Sequence, residues 1–212
     1  MTQPRPFRPV HGVRHLRVGI IALLTALVTA APASAQFTQS YKFLEAIRKS
    51  DQAEIVKFLE QPGVTLVNTR DRDSGETALL ITVGRRDLVY TNYLLSRSAN
   101  PNLTNNAGLS PLMLAVERRF VEGVQLLLAN GANPNLANDS GETPLIRAVQ
   151  MREIEVVRLL LAKGADPNRK DTLAGMSALD YARSGNSVPG LVDLLTANAP
   201  PPRSPDVQGP HL

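Results

Sequence analysis

The stretch Gly141-Glu142-Thr143-Pro144-Leu145-Ile146-Arg147-Ala148-Val149 reads as a helix start. Thr143 falls at the N-cap, where its hydroxyl accepts a backbone N–H that has no intrahelical partner. Pro144 falls at the first helical position, where a missing N–H costs nothing. The pattern predicts a short helix through Val149 and a turn near Arg152 and Glu153. A second, mainly apolar helix then carries Ile154, Val156, Val157, Leu159, Leu160 and Leu161. Gly164 supplies the left-handed residue that ends it. Asp166-Pro167-Asn168 blocks continuation and starts an extended turn. Asn138-Asp139-Ser140-Gly141 forms a tight turn of the same kind in the preceding connector.

The unit recurs. Gly75-Glu76-Thr77-Ala78-Leu79, Gly108-Leu109-Ser110-Pro111-Leu112, Gly141-Glu142-Thr143-Pro144-Leu145 and Gly175-Met176-Ser177-Ala178-Leu179 begin 33, 33 and 34 residues apart. Ser98-Ala99-Asn100-Pro101-Asn102, Gly131-Ala132-Asn133-Pro134-Asn135 and Gly164-Ala165-Asp166-Pro167-Asn168 keep the same phase, as do Leu94, Leu127 and Leu160. One such unit has too little apolar surface to form its own core. Stacked units bury a continuous one, and stability comes mostly from neighbour interfaces. Ala115, Ala148 and Ala182 at matching positions let adjacent helices approach closely. The fold class expected is all-α, a solenoid of about five helix-turn-helix repeats joined by hairpin-like connectors.

The pattern resembles the ankyrin repeat, with its period of about 33 and its T-P-L-H-x-A signature. Ser110-Pro111-Leu112-Met113-Leu114-Ala115 and Thr143-Pro144-Leu145-Ile146-Arg147-Ala148 carry the resemblance, together with the Gly-Ala-Asn/Asp-Pro-Asn blocks. It covers residues 41–199, divided at about 41–73, 74–106, 107–139, 140–173 and 174–199. The first repeat is degenerate, with Gln61 to Asp73 in place of the usual connector, and the last is expected to cap the stack. The signature His is replaced by Leu80, Met113, Ile146 and Asp180, so apolar packing is expected to stand in for its hydrogen bonds in the middle repeats. The Gly between the two helices is replaced by Arg86, Arg119 and Arg152, at a strain cost of ~1 kcal/mol each if the turn stays left-handed. Those arginines form a ladder, expected to be solvated beside Asp87 and Glu153; the alternative is a contact strip for an anion or a partner.

The 212 residues carry a formal net charge of +4, with no Cys and no Trp. Zero Cys excludes disulfides, thiolate metal sites and a Cys nucleophile. Arg5, Arg8, Arg14 and Arg17 are the only charged side chains before residue 36, and an apolar run from Val18 to Ala31 follows them. Ala33-Ser34-Ala35-Gln36 then matches a small-residue cleavage site, so residues 1–35 read as a secretory signal peptide cut between Ala35 and Gln36. The run is shorter than the roughly 20 residues that span a bilayer; retention as a membrane anchor is the alternative. Without residues 1–35 the chain keeps 19 of its 23 basic residues against 19 acidic ones, so the basic balance belongs to the leader. Residues 36–40 are expected as a short linker. Residues 200–212, with Pro200, Pro201, Pro202 and Pro205, are expected as a disordered tail. The localisation expected is periplasmic or secreted, and the oligomeric state monomeric.

Outside the leader the only histidine is His211, so imidazole-based triads and metal sites find no ligands. No phosphate-binding glycine loop is present. Asp71 with Asp73, and Asp166 with Asp171, are carboxylate pairs without an evident pocket. No catalytic residue, metal or cofactor is expected. The resemblance implies instead a partner protein, met by the hairpin fingers and by the concave face of the first helices. Mapped onto this chain, the finger positions are Asp73, Ser74, Glu76, Asn106, Ala107, Leu109, Ala137, Asp139, Ser140 and Glu142. The first-helix positions are Arg85, Glu117, Arg118, Gln150 and Met151, with Leu109 and Met151 as apolar anchors. The surface lacks a basic stripe and an aromatic platform, which argues against nucleic acid.

Overall fold

A computed structural model describes residues 33–60, 66–184 and 188–199. Most of the expected signal peptide and the Pro-rich stretch 200–212 lie outside the described residues. Ten helices follow one another: α1 (Ala33–Lys49), α2 (Gln52–Glu60), α3 (Ala78–Gly84), α4 (Leu88–Ser96), α5 (Pro111–Glu117), α6 (Val121–Ala129), α7 (Pro144–Gln150), α8 (Ile154–Ala162), α9 (Ala178–Ser184) and α10 (Leu191–Ala197). Each odd-numbered helix pairs with the helix after it to make one repeat. The first helices α1, α3, α5, α7 and α9 pack in series as one layer, and α4, α6, α8 and α10 pack in series as the other.

Local chemistry sets the boundaries. Thr77, Ser110 and Thr143 cap α3, α5 and α7, each hydroxyl accepting the N–H three residues on, from Leu80, Met113 and Ile146. Those three residues stand where the family signature has His, and all are fully buried. In the last repeat Asp180 accepts from the Ser177 N–H at 3.0 Å, while the Ser177 hydroxyl accepts from the Asp180 N–H at 3.1 Å, a reciprocal cap.

The interhelix arginines do adopt the left-handed conformation, with φ of 59° at Arg86, 53° at Arg119 and 60° at Arg152. The surrounding hydrogen bonds explain why. The Arg86 N–H reaches the Val83 carbonyl and the Asp87 N–H the Thr82 carbonyl; Arg119 with Phe120, and Arg152 with Glu153, repeat the pair. This 5→2 and 6→1 closure of a helix C-terminus over-determines the turn. Its bonds stabilise a backbone that Gly would adopt more cheaply. The arginine heads are not simply solvated: Arg119 pairs with Glu153 of the next repeat, and Arg86 lies 5.9 Å from the centroid of the Phe120 ring.

Two ladders tie the repeats together. Asn68, Asn102 and Asn135 each reach into the following repeat: their side-chain oxygens accept from the N–H of Asn100, Asn133 and Asp166 at 2.7–2.8 Å. Their amide nitrogens donate to the carbonyls of Ser98, Gly131 and Gly164. The second ladder is made by the connectors. Finger 1 (71–76) and finger 4 (171–176) close on Asp71 and Asp171; finger 2 (105–109) and finger 3 (138–142) are one residue shorter and close on Asn105 and Asn138.

One expectation about organisation changes. Residues 36–40, read as a linker, belong to α1. No Gly or Pro interrupts Ser34 to Tyr41, and the Ser40 hydroxyl lies 2.9 Å from that of Thr69, fastening the helix to the first connector.

Candidate partner-binding surface

Each finger is a turn stapled by one side chain. Asp71 accepts from the N–H groups of Asp73 and Ser74 and from Arg48 Nη2 at 2.8 Å. The Arg48 guanidinium, then the Ser74 N–H, hold the Asp71 carboxyl well below the usual carboxylate range. Asp171 accepts the Tyr181 hydroxyl at 2.6 Å and the N–H groups of Ala174 and Gly175, and its pKa is lowered, first by the tyrosine. Asp166 accepts from Asn168 within its own turn. With their pKa values lowered, Asp71 and Asp171 are weak bases and poor proton donors at neutral pH. Asp71, Asp166 and Asp171 therefore work as turn staples, and Asp73 enters the first finger through its backbone. No group of three or more metal-ligating side chains occurs among the described residues. No helix among them is long and apolar enough to cross a membrane.

The fifteen positions named from the sequence fall into two sets. Asp73, Ala107, Arg118, Asp139 and Gln150 are exposed, as are Arg85 and Asn106, which also have partners within the chain. Leu109 and Met151, the expected anchors, are half-buried, and Met151 packs against the core. Ala137 is half-buried as well. The remaining positions are engaged within the chain. Glu142 is only 8% exposed: its carboxylate takes Arg147 Nη2 at 2.8 Å and Asn138 Nδ2 at 3.3 Å. Its burial pushes its pKa up, against the pull of Arg147. Glu142 is thus held as a strut between the third finger and α7. Glu117 lies 3.4 Å from the same arginine. Arg85 donates to the carbonyls of Ile47 at 2.7 Å and Arg48 at 3.0 Å, closing the C-terminus of α1. Ser74 donates to Glu76, and Glu76 stands 3.9 Å from Arg48. Asn106 donates to the Asp73 carbonyl at 2.8 Å, and the Ser140 carbonyl accepts from Thr172.

Ala35 and Gln36, where the sequence leads to an expectation of cleavage, both fall within α1.

Sequence reasoning missed the most exposed apolar residues, Leu173 at 83% and Val89 at 76%. Both carried a signal. Leu173 lies in the connector where the step lengthens to 34, and Val89 stands where the next two repeats have Glu122 and Glu155. Val89 edges a groove of about 470 Å³ between α2 and α4, lined also by Gln52, Val56, Asp87, Tyr90 and Tyr93. One repeat further on, Phe120 stands in the place of Asp87, 3% exposed, with its ring against Gly123.

Among curated proteins none matches this chain. The family model described as "Ankyrin repeats (3 copies)" matches it in three overlapping passes, over residues 43–138, 91–171 and 130–199. Those passes take in all five helix pairs and the ladders between them, and the chain belongs to the ankyrin-repeat family.

Proposed function

We propose that this chain is exported and works outside the cytoplasm by holding another protein, as an accessory or protective subunit of an exported enzyme. Ankyrin repeats are protein–protein interaction modules, and the step to export rests on one observation. Four arginines, an apolar run and Ala33-Ser34-Ala35-Gln36 precede the repeats in the order of a secretory leader. The exposed residues Asp73, Ala107, Arg118, Asp139 and Gln150, with Leu109 and Met151 between them, offer a mixed polar surface with two apolar anchors. Such a surface suits a folded protein partner better than a polyanion.

A second reading has its own observation. α1 runs without a break through residues 35 and 36, whereas proteolysis favours exposed, unstructured backbone. An uncleaved leader would tether the stack to the inner membrane as a regulator. Mass determination of the N-terminus after cell fractionation separates the two. A chain beginning at Gln36 in the soluble extracytoplasmic fraction is expected; an intact Met1 in the membrane fraction overturns secretion and favours the tether.

A further inference from the structure

The outer layer shows one register position three times. At the second residue of the helix, α6 and α8 present Glu122 and Glu155, as a solvated face requires, whereas α4 presents Val89, 76% exposed. The positions around it change in the same sense. Leu88 is exposed where Val121 and Ile154 are half-buried, and Tyr90 stands in place of Gly123 and Val156. Tyr93, one turn on, stands in place of Leu126 and Leu159. Clustered apolar exposure of this kind marks an interaction surface, where a single exposed apolar residue would not.

The complement of Val89 lies beside it. The groove between α2 and α4 has Val56 on one wall and Tyr90 and Tyr93 on the other, with Val89 at its edge. A projecting apolar residue next to an apolar groove is self-complementary, because a two-fold axis lodges each copy's projection in the other's groove. The charges at the ends of α4 fit the same operation. Asp87 is the N-cap and Arg97 the C-cap, equally far along the chain from the exposed Asn92. Two α4 helices running antiparallel about an axis at Asn92 set Asp87 of each copy beside Arg97 of the other, and Val89 toward Tyr93 of the other. Within one chain the ion pairs of these end charges are long: Asp87 lies 3.5 Å from Arg85, and Arg97 lies 3.4 Å from Glu60.

We propose that two copies of this chain pair across α4, antiparallel and two-fold, with Val89 of each lodged in the α2–α4 groove of the other. This departs from the monomer expected from the sequence. The apolar contact supplies the affinity, and the end charges fix the direction of pairing. The surface lies in the second-helix layer, so the pair leaves free the fingers and the first-helix layer, where a partner protein is expected. Self-pairing does not depend on the partner-holding reading.

The test exploits the absence of Cys from the chain. Asn92→Cys, Gln125→Cys and Arg158→Cys each place one thiol at the same exposed register position, on α4, α6 and α8. A residue meets its own copy only at the two-fold axis, and a disulfide needs Cα atoms within about 7 Å. The chain as cells produce it is oxidised mildly and run on a non-reducing gel. N92C is expected to give a species of twice the chain mass, at least about tenfold more of it than Q125C or R158C. Val89→Glu restores the residue type of α6 and α8 and keeps the parent Tm; added to N92C, it is expected to lower the yield at least about tenfold. In sedimentation the mass of the parent is expected to rise with concentration toward twice the monomer, and that of V89E to stay monomeric. Equal linking at all three positions, or linking of N92C indifferent to V89E, reports collision and overturns the pairing. Strongest linking through Q125C or R158C overturns the α4 face. N92C linked to a different protein overturns self-pairing, as does a parent that stays monomeric at every concentration.

Discussion

The interior of the stack and its two ends are built on one template, yet the interior is closed where the ends are open. In the outer layer, Phe120 before α6 is buried against Gly123, while Asp87 at the matching place before α4 lines a groove of about 470 Å³ against α2. On the finger side, Gly141 is covered by Thr172, while Gly175 faces open space. One side chain or one seated turn decides each case. The difference teaches that regularity in a repeat protein resides in the interfaces, because each repeat contacts only its neighbours. An end is therefore open wherever a single contributing residue departs from the template.

The sharpest way to break that contrast is to remove the Phe120 ring. Phe120→Ala is expected to cost about 3–5 kcal/mol, as for other buried aromatics. It would open between α4 and α6 the kind of groove already present between α2 and α4. Urea denaturation checks this through a lower midpoint at unchanged slope. A loss below about 1 kcal/mol, the scale of a surface change, would show that the ring is dispensable.

A smaller effect probes the finger side. Gly141→Ala combines left-handed strain with pressure on the Thr172 backbone, about 2–3 kcal/mol together. Gly175→Ala meets only the strain, about 1 kcal/mol. Thermal unfolding of the two variants side by side reads the difference, which measures what a seated finger contributes. Equal losses would sink the contrast between covered and open seats.

Much of this was legible in the sequence, for identifiable reasons. The fold was readable because caps, helix-ending glycines and apolar positions recur in phase, so weak local signals reinforced one another; Thr143, Pro144 and Gly164 sit as their chemistry dictates. The candidate surface was only partly readable. Position within the repeat identified the exposed Arg118 and Asp139 but could not show that Glu142 is held by Arg147. That depends on a side chain five residues away. Arg85 is exposed as its position suggested, but its contacts with the carbonyls of Ile47 and Arg48 in the preceding repeat could not be read from its own repeat. Leu173 holds in finger 4 the place of Asp73 in finger 1, so its position was legible there and was passed over.

The smallest effect concerns how the first repeat is held. Like the interior, with its Arg119–Glu153 pair, α1 is clamped by charge as well as by apolar burial, through Arg48 to Asp71 at 2.8 Å. Their side chains are 39% and 18% exposed, so solvent screens the pair, and Arg48→Ala is expected to cost no more than about 1 kcal/mol at pH 7. The pH dependence identifies the source. Asp71 has a lower pKa folded than unfolded, so it stabilises the fold above the unfolded carboxylate value of about 4. That contribution fades as the pH falls toward the folded value. The gap between parent and R48A should therefore be widest near pH 7 and narrow steadily below about pH 4. Amide exchange resolved by helix places the loss: faster exchange in α1 and α2 with α6 and α8 unchanged fits a clamp on the end repeat. A uniform rise across all repeats would mean that Arg48 supports the whole stack, and the assignment of this clamp to the end repeat would fail.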